Sequence, residues 1–392
     1  MQKLRVYAAL WLVMVTGSLA LGVHGSIRSI MYLTGQHVVV PSDEYLVNSI
    51  THVILAFMRS DVFNVNKTPA DFPLFTTVDT VRQQFNPDTK IMVAIGGWGD
   101  SKGFEEAAHD DSSRKRWATQ VKAMVDLTGA DGADIDWEYP GGNRDDYKLI
   151  PNSQRRWEIE AFVLLLGELR SALGTGKLLS IAVPALERDL MAFTNSTIPT
   201  ISKHVDFISV MTYDMMNRRD TVVKHHSGVA ESLEAMKRYI DRGVPPNKLN
   251  FGLGYYVKWF MTENCDNQHP LGCRTQLLED PTNGADLGRT GAFSWHDEVP
   301  SELASSFAKA QALGDYGDDG SYGYWDAEEK RWWSYDRPET IKTKVPRLVG
   351  ELRLGGVFAW GLGEDAPQFN HLRATVESVQ ALSGDDNQKD EL

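Results

Sequence analysis

Asp131-Gly132-Ala133-Asp134-Ile135-Asp136-Trp137-Glu138, followed by Tyr139-Pro140-Gly141-Gly142, is the stretch that decides how the chain is read. Four carboxylates fall within these eight residues. Asp134, Asp136 and Glu138 stand at every second position, and in a strand side chains two apart share a face. Ile135 and Trp137 face the other way. Neighbouring buried carboxylates repel one another and must raise their pKa or share protons. A fold that keeps such a row uses it for chemistry. Pro140-Gly141-Gly142 ends the strand and leaves Glu138 at its C-terminal tip, where ligands gather in α/β folds.

Similar β-rich runs recur on both sides, at 27–33, 52–57, 90–95, 178–184, 205–213, 249–255 and 355–361. Between them lie stretches of helical period. Ile159, Phe162, Val163, Leu166, Leu169 and Leu173 form one apolar stripe. Eight strands alternating with helices predict an α/β fold, a (β/α)8 TIM barrel. The interval from the seventh strand to the eighth is about twice the others and lacks linker composition. It predicts a small inserted subdomain, about 257–338, set against the barrel mouth. Residues 339–352 read as the helix before the last strand, kinked by Pro346. No repeat beyond the βα rhythm and no appended binding module is seen.

The chain has 392 residues, 42% hydrophobic and 24% charged, an ordinary globular composition with room for a large core. Its net charge of −13 repels phosphate backbones and argues against a nucleic-acid partner. Lys3 and Arg5 precede an uncharged, apolar stretch from Val6 to Val23, with Val23 and Gly25 placed for cleavage before Ser26. Residues 1–25 read as a signal peptide, with a retained anchor as the rival, and 26–382 as the catalytic domain. Residues 383–392 read as a disordered tail ending in Lys389-Asp390-Glu391-Leu392, an endoplasmic-reticulum retrieval address. Lumenal residence, with a retrieval receptor as partner, is expected; secretion is the alternative. Asn66 and Asn195 open glycosylation acceptors. Cys265 and Cys273 are the two cysteines; they either close a short loop in an oxidising lumen or remain free.

A carboxylic acid at a strand tip can protonate a leaving oxygen if burial and a neighbouring charge raise its pKa. Asp136 supplies that charge to Glu138, and Asp134 can share a proton with Asp136. Glycosidic bond cleavage is the reaction that most often needs carboxylates pushed apart in this way. Ordinary retaining glycosidases place two carboxyls across the substrate, whereas these acids share one strand. A structural, salt-bridged cluster is disfavoured, because the strand contains no Arg or Lys. A divalent metal on the Asp-x-Asp pair is disfavoured too, because no His joins it. His225-His226 is likewise read as structural. No cofactor and no metal are expected.

Asp131, Asp134, Asp136 and Glu138 together resemble the signature of family 18 glycoside hydrolases, the chitinase family. Met211-Thr212-Tyr213-Asp214 is similar to the close of that family's sixth strand, and Gly355-Gly356-Val357-Phe358-Ala359-Trp360 to the close of its eighth. Ser334-Tyr335-Asp336-Arg337-Pro338 resembles the return from the family's inserted α+β subdomain, between strands 7 and 8. The resemblance spans about 27–365. It implies a retaining, substrate-assisted mechanism in which the substrate's own acetamido oxygen is the nucleophile. Glu138 would be acid then base, Asp136 would hold the acetamido N–H, Asp134 would relay a proton or only support the core, and Tyr213 would align the acetamido oxygen. Trp360 would be the pocket floor. Met211, Asp214 and Tyr32 would be pocket wall. Asp131 would be structural, tying the barrel centre together. Trp98, after Gly96-Gly97, either stacks sugars or packs in the core; Trp259 and Trp295 are weaker candidates. One departure stands out: Ala94-Ile95-Gly96-Gly97 replaces the family's Ser-x-Gly-Gly and removes a hydroxyl from the inner acids.

The resemblance implies endo-acting hydrolysis of β-1,4-linked N-acetylglucosamine, in chitin or its oligosaccharides. An endo-β-N-acetylglucosaminidase cutting the chitobiose core of N-glycans is the alternative that a lumenal address favours. A sugar-binding lectin on the same barrel is the third reading, and the presence of Glu138 argues against it.

Overall fold

The computed structural model describes residues 27–389, with side chains to 383. The expected signal segment and the last three residues of the retrieval address lie outside the described residues. Eight parallel strands close a barrel: β1 (Arg28–Thr34), β2 (His52–Met58), β3 (Lys90–Gly96), β4 (Gly132–Asp136), β5 (Leu178–Pro184), β6 (Phe207–Met211), β7 (Leu249–Gly254) and, after the insertion, β13 (Gly356–Trp360). The closing pair is β1 with β13, so β13 stands diametrically across the barrel from β4. All eight strands expected from the sequence are present. The fourth ends at Asp136 rather than Glu138, because Pro140 and Gly141 already turn the chain.

Helices wrap the outside, and the alternation within each strand decides which residues meet them. Ile135 and Trp137 face out of the barrel, where Trp137 stacks on Phe104 with ring centroids 5.2 Å apart and meets Phe162 edge-on. Phe162 belongs to the expected apolar stripe, now the helix Trp157–Leu173. The helix Asp111–Thr128 starts where the Asp110 side chain accepts from the Ser113 amide and stops at Gly129, which takes the left-handed conformation. The helix Pro338–Val345 gives way at Pro346 to a wider π-type turn, Pro346–Gly350, in place of the expected kink.

The insertion is a five-stranded antiparallel sheet with one helix, Ala304–Leu313. Its strands are β8 (Tyr256–Met261), β9 (Thr290–Ser294), β10 (Asp315–Tyr316), β11 (Tyr322–Asp326) and β12 (Arg331–Ser334). The sheet order is β10-β11-β12-β8-β9, which leaves β9 at an edge. Its aromatic residues form a separate small core around Phe293, Phe307, Trp333 and Tyr335. A buried ion pair bolts it to the barrel: Lys344 meets Asp336 at 2.5 Å and also donates to the Ser227 carbonyl. Cys265 and Cys273 form a disulfide in the loop after β8.

The C-terminal helix runs Asn370–Lys389, into the stretch expected to be a disordered tail. Leu372, Val376 and Val379 are buried and anchor it, and a helix once nucleated propagates through polar residues. Composition alone misread that stretch. Among the described residues no helix is long and apolar enough to cross a membrane.

Candidate active site

Loops at the C-terminal rim of the barrel and the insertion enclose a cavity of about 940 Å³. Asp136 and Glu138 line it; Asp134 lies beneath. Register explains the depth of Asp134. It pairs with Ala94 on β3 and Ser180 on β5, one layer below the pairing of Asp136 with Gly96. Its Oδ2 accepts from the Tyr32 hydroxyl at 2.8 Å and its Oδ1 from the Ser180 hydroxyl at 2.6 Å. Burial raises its pKa to about 6, and the two hydroxyls pull in the opposite direction. Ala94 offers no hydroxyl on the other flank, so Asp134 has two donors, from β1 and β5.

Asp136 is buried and its pKa stands well above the ordinary range, first through burial and then through the negative charge of Glu138 and Asp134. Its Oδ1 has no hydrogen-bond partner among the described residues. Burial likewise raises Glu138 to about 7; a hydrogen bond from Tyr139 opposes the rise, and the charges of Asp214 and Asp189 add to it. The sequence placed the perturbing charge for Glu138 on Asp136 alone. The fold brings two further carboxylates to the same cavity. Keeping Asp134 ionised at neutral pH costs about 3 kcal/mol. Burying Trp137 on the opposite face of the same strand offsets this, on the order of 5 kcal/mol.

Gly96 and Gly97 let β3 turn away beside the acids. Both have positive φ, 112° and 91°, and the Gly97 amide donates to the Asp136 carbonyl at 2.8 Å. Trp360 sits across the barrel from β4, stacked on Phe57 at 5.4 Å and 21°. Tyr213 and Met211 line the cavity, and burial followed by the charges of Asp136 and Glu138 pushes the Tyr213 phenol up. Asp214 accepts from Tyr256 at 2.9 Å and Lys258 at 2.8 Å. Burial would raise its pKa, but the charge of Lys258 and the hydrogen bonds from Lys258 and Tyr256 outweigh it and hold Asp214 below the usual range. His226 itself is fully buried, and burial keeps its ring neutral. Trp98 is half exposed and lines the cavity.

Two expected placements change. Tyr32 is buried and does not line the cavity; as an inward residue of β1 its hydroxyl reaches Asp134 instead. Asp131 does not tie the barrel centre. It stands at the opposite rim, where it pairs with Arg82 at 2.9 Å and accepts from the Ile91 amide at 2.8 Å. Trp259 and Trp295 are not among the residues that line the cavity. Asn66 and Asn195 are exposed. Among the described residues no group of three His, Cys, Asp or Glu is placed to hold a metal ion.

Several lining residues escaped sequence reading: Phe57, Tyr139, Asp189, Tyr256, Lys258 and Arg219. Tyr139 adjoins Glu138 and was the most findable. Asp189 closes a short turn after β5, in no motif, and only the fold brings it near. At the far end of the cavity His37 bridges Asp297 of the insertion at 2.9 Å and Glu364, after β13, at 3.4 Å.

The family profile described as Glycosyl hydrolases family 18 matches residues 28–365. The chain belongs to glycosyl hydrolase family 18. Its similarity extends to Chitinase 1 of Aphanocladium album, 28% identical over 377 residues, covering 88% of this chain and 82% of that one. Endochitinase 1 of Metarhizium anisopliae is 28% identical over 313 residues, 77% of this chain and 67% of that one. Among solved structures, a chitinase from Rhizomucor miehei superposes with a TM-score of 0.72 at 19% identity, over 90% of this chain and 99% of that one. The Ostrinia furnacalis Group IV chitinase in complex with allosamidin gives 0.68 at 23%, over 91% and 100%. At such identities the structural likeness shows the barrel fold alone; the family rests on the profile match. As a family member the chain is a glycoside hydrolase.

Proposed function

We propose that this protein hydrolyses β-1,4-linked N-acetylglucosamine, in chitin or chito-oligosaccharides, with retention of configuration. The observation that carries the reading is the unpartnered Oδ1 of buried Asp136, beside Glu138 and across the barrel from Trp360. A buried carboxylate oxygen without a donor is costly. An acetamido N–H of the bound sugar supplies the missing donor.

The sugar to be cut rests on Trp360 with its acetamido group between Asp136 and Tyr213. Glu138, protonated below about pH 7, gives its proton to the glycosidic oxygen as the bond to the anomeric carbon breaks. The acetamido oxygen forms the new bond to that carbon from the opposite face. Asp136 takes hold of the N–H and stabilises the cationic oxazolinium ring. Glu138, now ionised, removes a proton from water, whose oxygen attacks the anomeric carbon and reopens the ring. The two inversions give net retention. The N-terminal apolar segment and Lys389–Leu392 support residence in the endoplasmic-reticulum lumen, and immunolocalisation with and without the last four residues tests that address.

The test is product analysis on an N-acetylglucosamine hexamer, with the anomeric form first released read by NMR. The β-anomer released first is expected; the α-anomer would exclude the mechanism. Fully deacetylated chains split as fast as acetylated ones would remove the acetamido nucleophile. Release of glycan from a high-mannose glycoprotein, with the hexamer untouched, would assign the N-glycan core as substrate. Binding without hydrolysis would make the protein a lectin.

A further inference from the structure

We infer that the leaving-group arm of the cleft is capped, so that each cut frees a short piece, a mono- or disaccharide, from the reducing end of the chain. The inference rests on the reading above, which places the donor sugar on Trp360. Glu138 then stands between that sugar and the leaving group, whose arm continues past β4 towards Trp98 and the loop that follows Tyr139. A β-1,4 chain presents its reducing end on the leaving-group side of the bond being cut.

That arm is closed by Arg219, from the loop after β6. Its guanidinium lies 5.7 Å from the centre of the Trp98 ring and 4.0 Å from that of Tyr147. It donates to the Asn143 carbonyl at 3.0 Å and the Arg144 carbonyl at 2.8 Å. One side chain therefore reaches from the β6 loop to the loop after β4, with Trp98 of the β3 loop beside it. Stacking and two carbonyl bonds fix it there, as suits a planar donor.

Behind Arg219 the insertion closes the wall. Glu279, buried in the loop between β8 and β9, meets Lys148 at 2.7 Å, Arg218 at 3.6 Å and the Tyr147 hydroxyl. Lys148 also donates to the Asp280 carbonyl at 2.8 Å. The loop after β4 is stiffened in turn by the double bond of Arg155 to Asp146, at 2.6 and 2.5 Å. Loops from β4, β6 and the insertion thus interlock behind Arg219, which lies beside Trp98. A chain passing further would have to part these loops, which a buried, multiply paired carboxylate holds together.

The experiment uses an N-acetylglucosamine hexamer carrying 18O at its reducing end, digested by the full chain and read by mass spectrometry at early times. The label is expected in mono- and disaccharide. In a Lys148→Ala/Glu279→Ala double variant the ratio of longer to shorter labelled products should rise about tenfold, equivalent to about 1.4 kcal/mol of newly usable contact. Tyr147→Phe, which removes only the phenol bond to Glu279, should move the ratio the same way and guards against a double variant that does not fold. The ratio is independent of how much enzyme is active. Label found mainly in tri- and tetrasaccharide with the unaltered enzyme, or a ratio unmoved in the variants, overturns the cap while leaving the hydrolase reading intact. No cleavage of the hexamer at all overturns both.

Discussion

The Tyr32 hydroxyl, on the first barrel strand, donates to Asp134 on the fourth at 2.8 Å, below the floor of the cleft and out of reach of substrate. With Ser180 it fixes the state of the deepest acid. In Tyr32→Phe that acid keeps a single donor, and its pKa rises above about 6. A hydrogen bond to an ionised carboxylate is worth about 1.5–3 kcal/mol, so kcat should fall at least about tenfold. KM should hold, because Tyr32 does not line the cavity. Steady-state kinetics on a soluble oligosaccharide separates the two constants; a rise in KM at constant kcat would make Tyr32 a binding residue.

Catalysis should require Glu138 protonated, and burial holds its pKa at about 7. Activity is therefore expected to fall on the alkaline side with a midpoint near pH 7. Asp214 contributes a negative charge that favours the protonated form. Asp214→Asn removes it, so the alkaline midpoint should move to lower pH. The pH profile of kcat/KM reads that midpoint whatever the variant loses in rate. Glu138→Gln should lose about 10² to 10⁴-fold in turnover while still binding oligosaccharide, as measured by calorimetry.

The same raised pKa values act on stability. Asp134, Asp136 and Glu138 all hold protons more tightly folded than unfolded. Between their ordinary range near pH 4 and their folded values, the native state binds more protons. Their contribution is therefore full below about pH 4 and is lost as pH rises through about 6 to 7 and beyond. Asp136→Asn removes one such acid and relieves its repulsion with the other two. Its melting temperature at pH 8 should exceed that of the unaltered chain by about 2 °C or more, with the gap closing at pH 4, while turnover is lost. Thermal scans at the two pH values give the difference, in which ion pairs elsewhere cancel.

The barrel was legible because strand period and helix period are both short-range signals. The stave from Gly132 to Glu138 and the stripe from Ile159 to Leu173 each carry their own alternation. Glu138 and Asp136 were legible because like charges two residues apart have no packing use. Tyr32 was misplaced in depth: it faces inward, but its hydroxyl lies at the level of Asp134 beneath the cavity, a level set by the register of the closed barrel. Asp189 and Arg219 were invisible for another reason. Each lies in a loop with no motif, and its nearness to Glu138 or Trp98 is a product of closure of the whole barrel. The tail from Ser383 was misread because a helix anchored by Leu372 and Val376 carries polar residues along with it.

Gly97 links the acid strand to the floor of the cleft, and two alanine substitutions distinguish strain from packing. A Cβ on Gly97 would come 2.7 Å from the Phe57 ring, which stacks on Trp360. Gly99 has the same handedness, φ 86° against 91°, but a Cβ there meets nothing within 4 Å. Gly99→Ala should therefore cost only backbone strain, about 1 kcal/mol. Gly97→Ala should cost that and a further 1–3 kcal/mol, roughly, for overpacking. Because Phe57 can yield only by pressing on Trp360, KM for oligosaccharide should rise in Gly97→Ala and stay unchanged in Gly99→Ala. Denaturant melts of both variants, with KM measured alongside, test the pair; equal losses would show that Phe57 moves freely and that the floor does not depend on it.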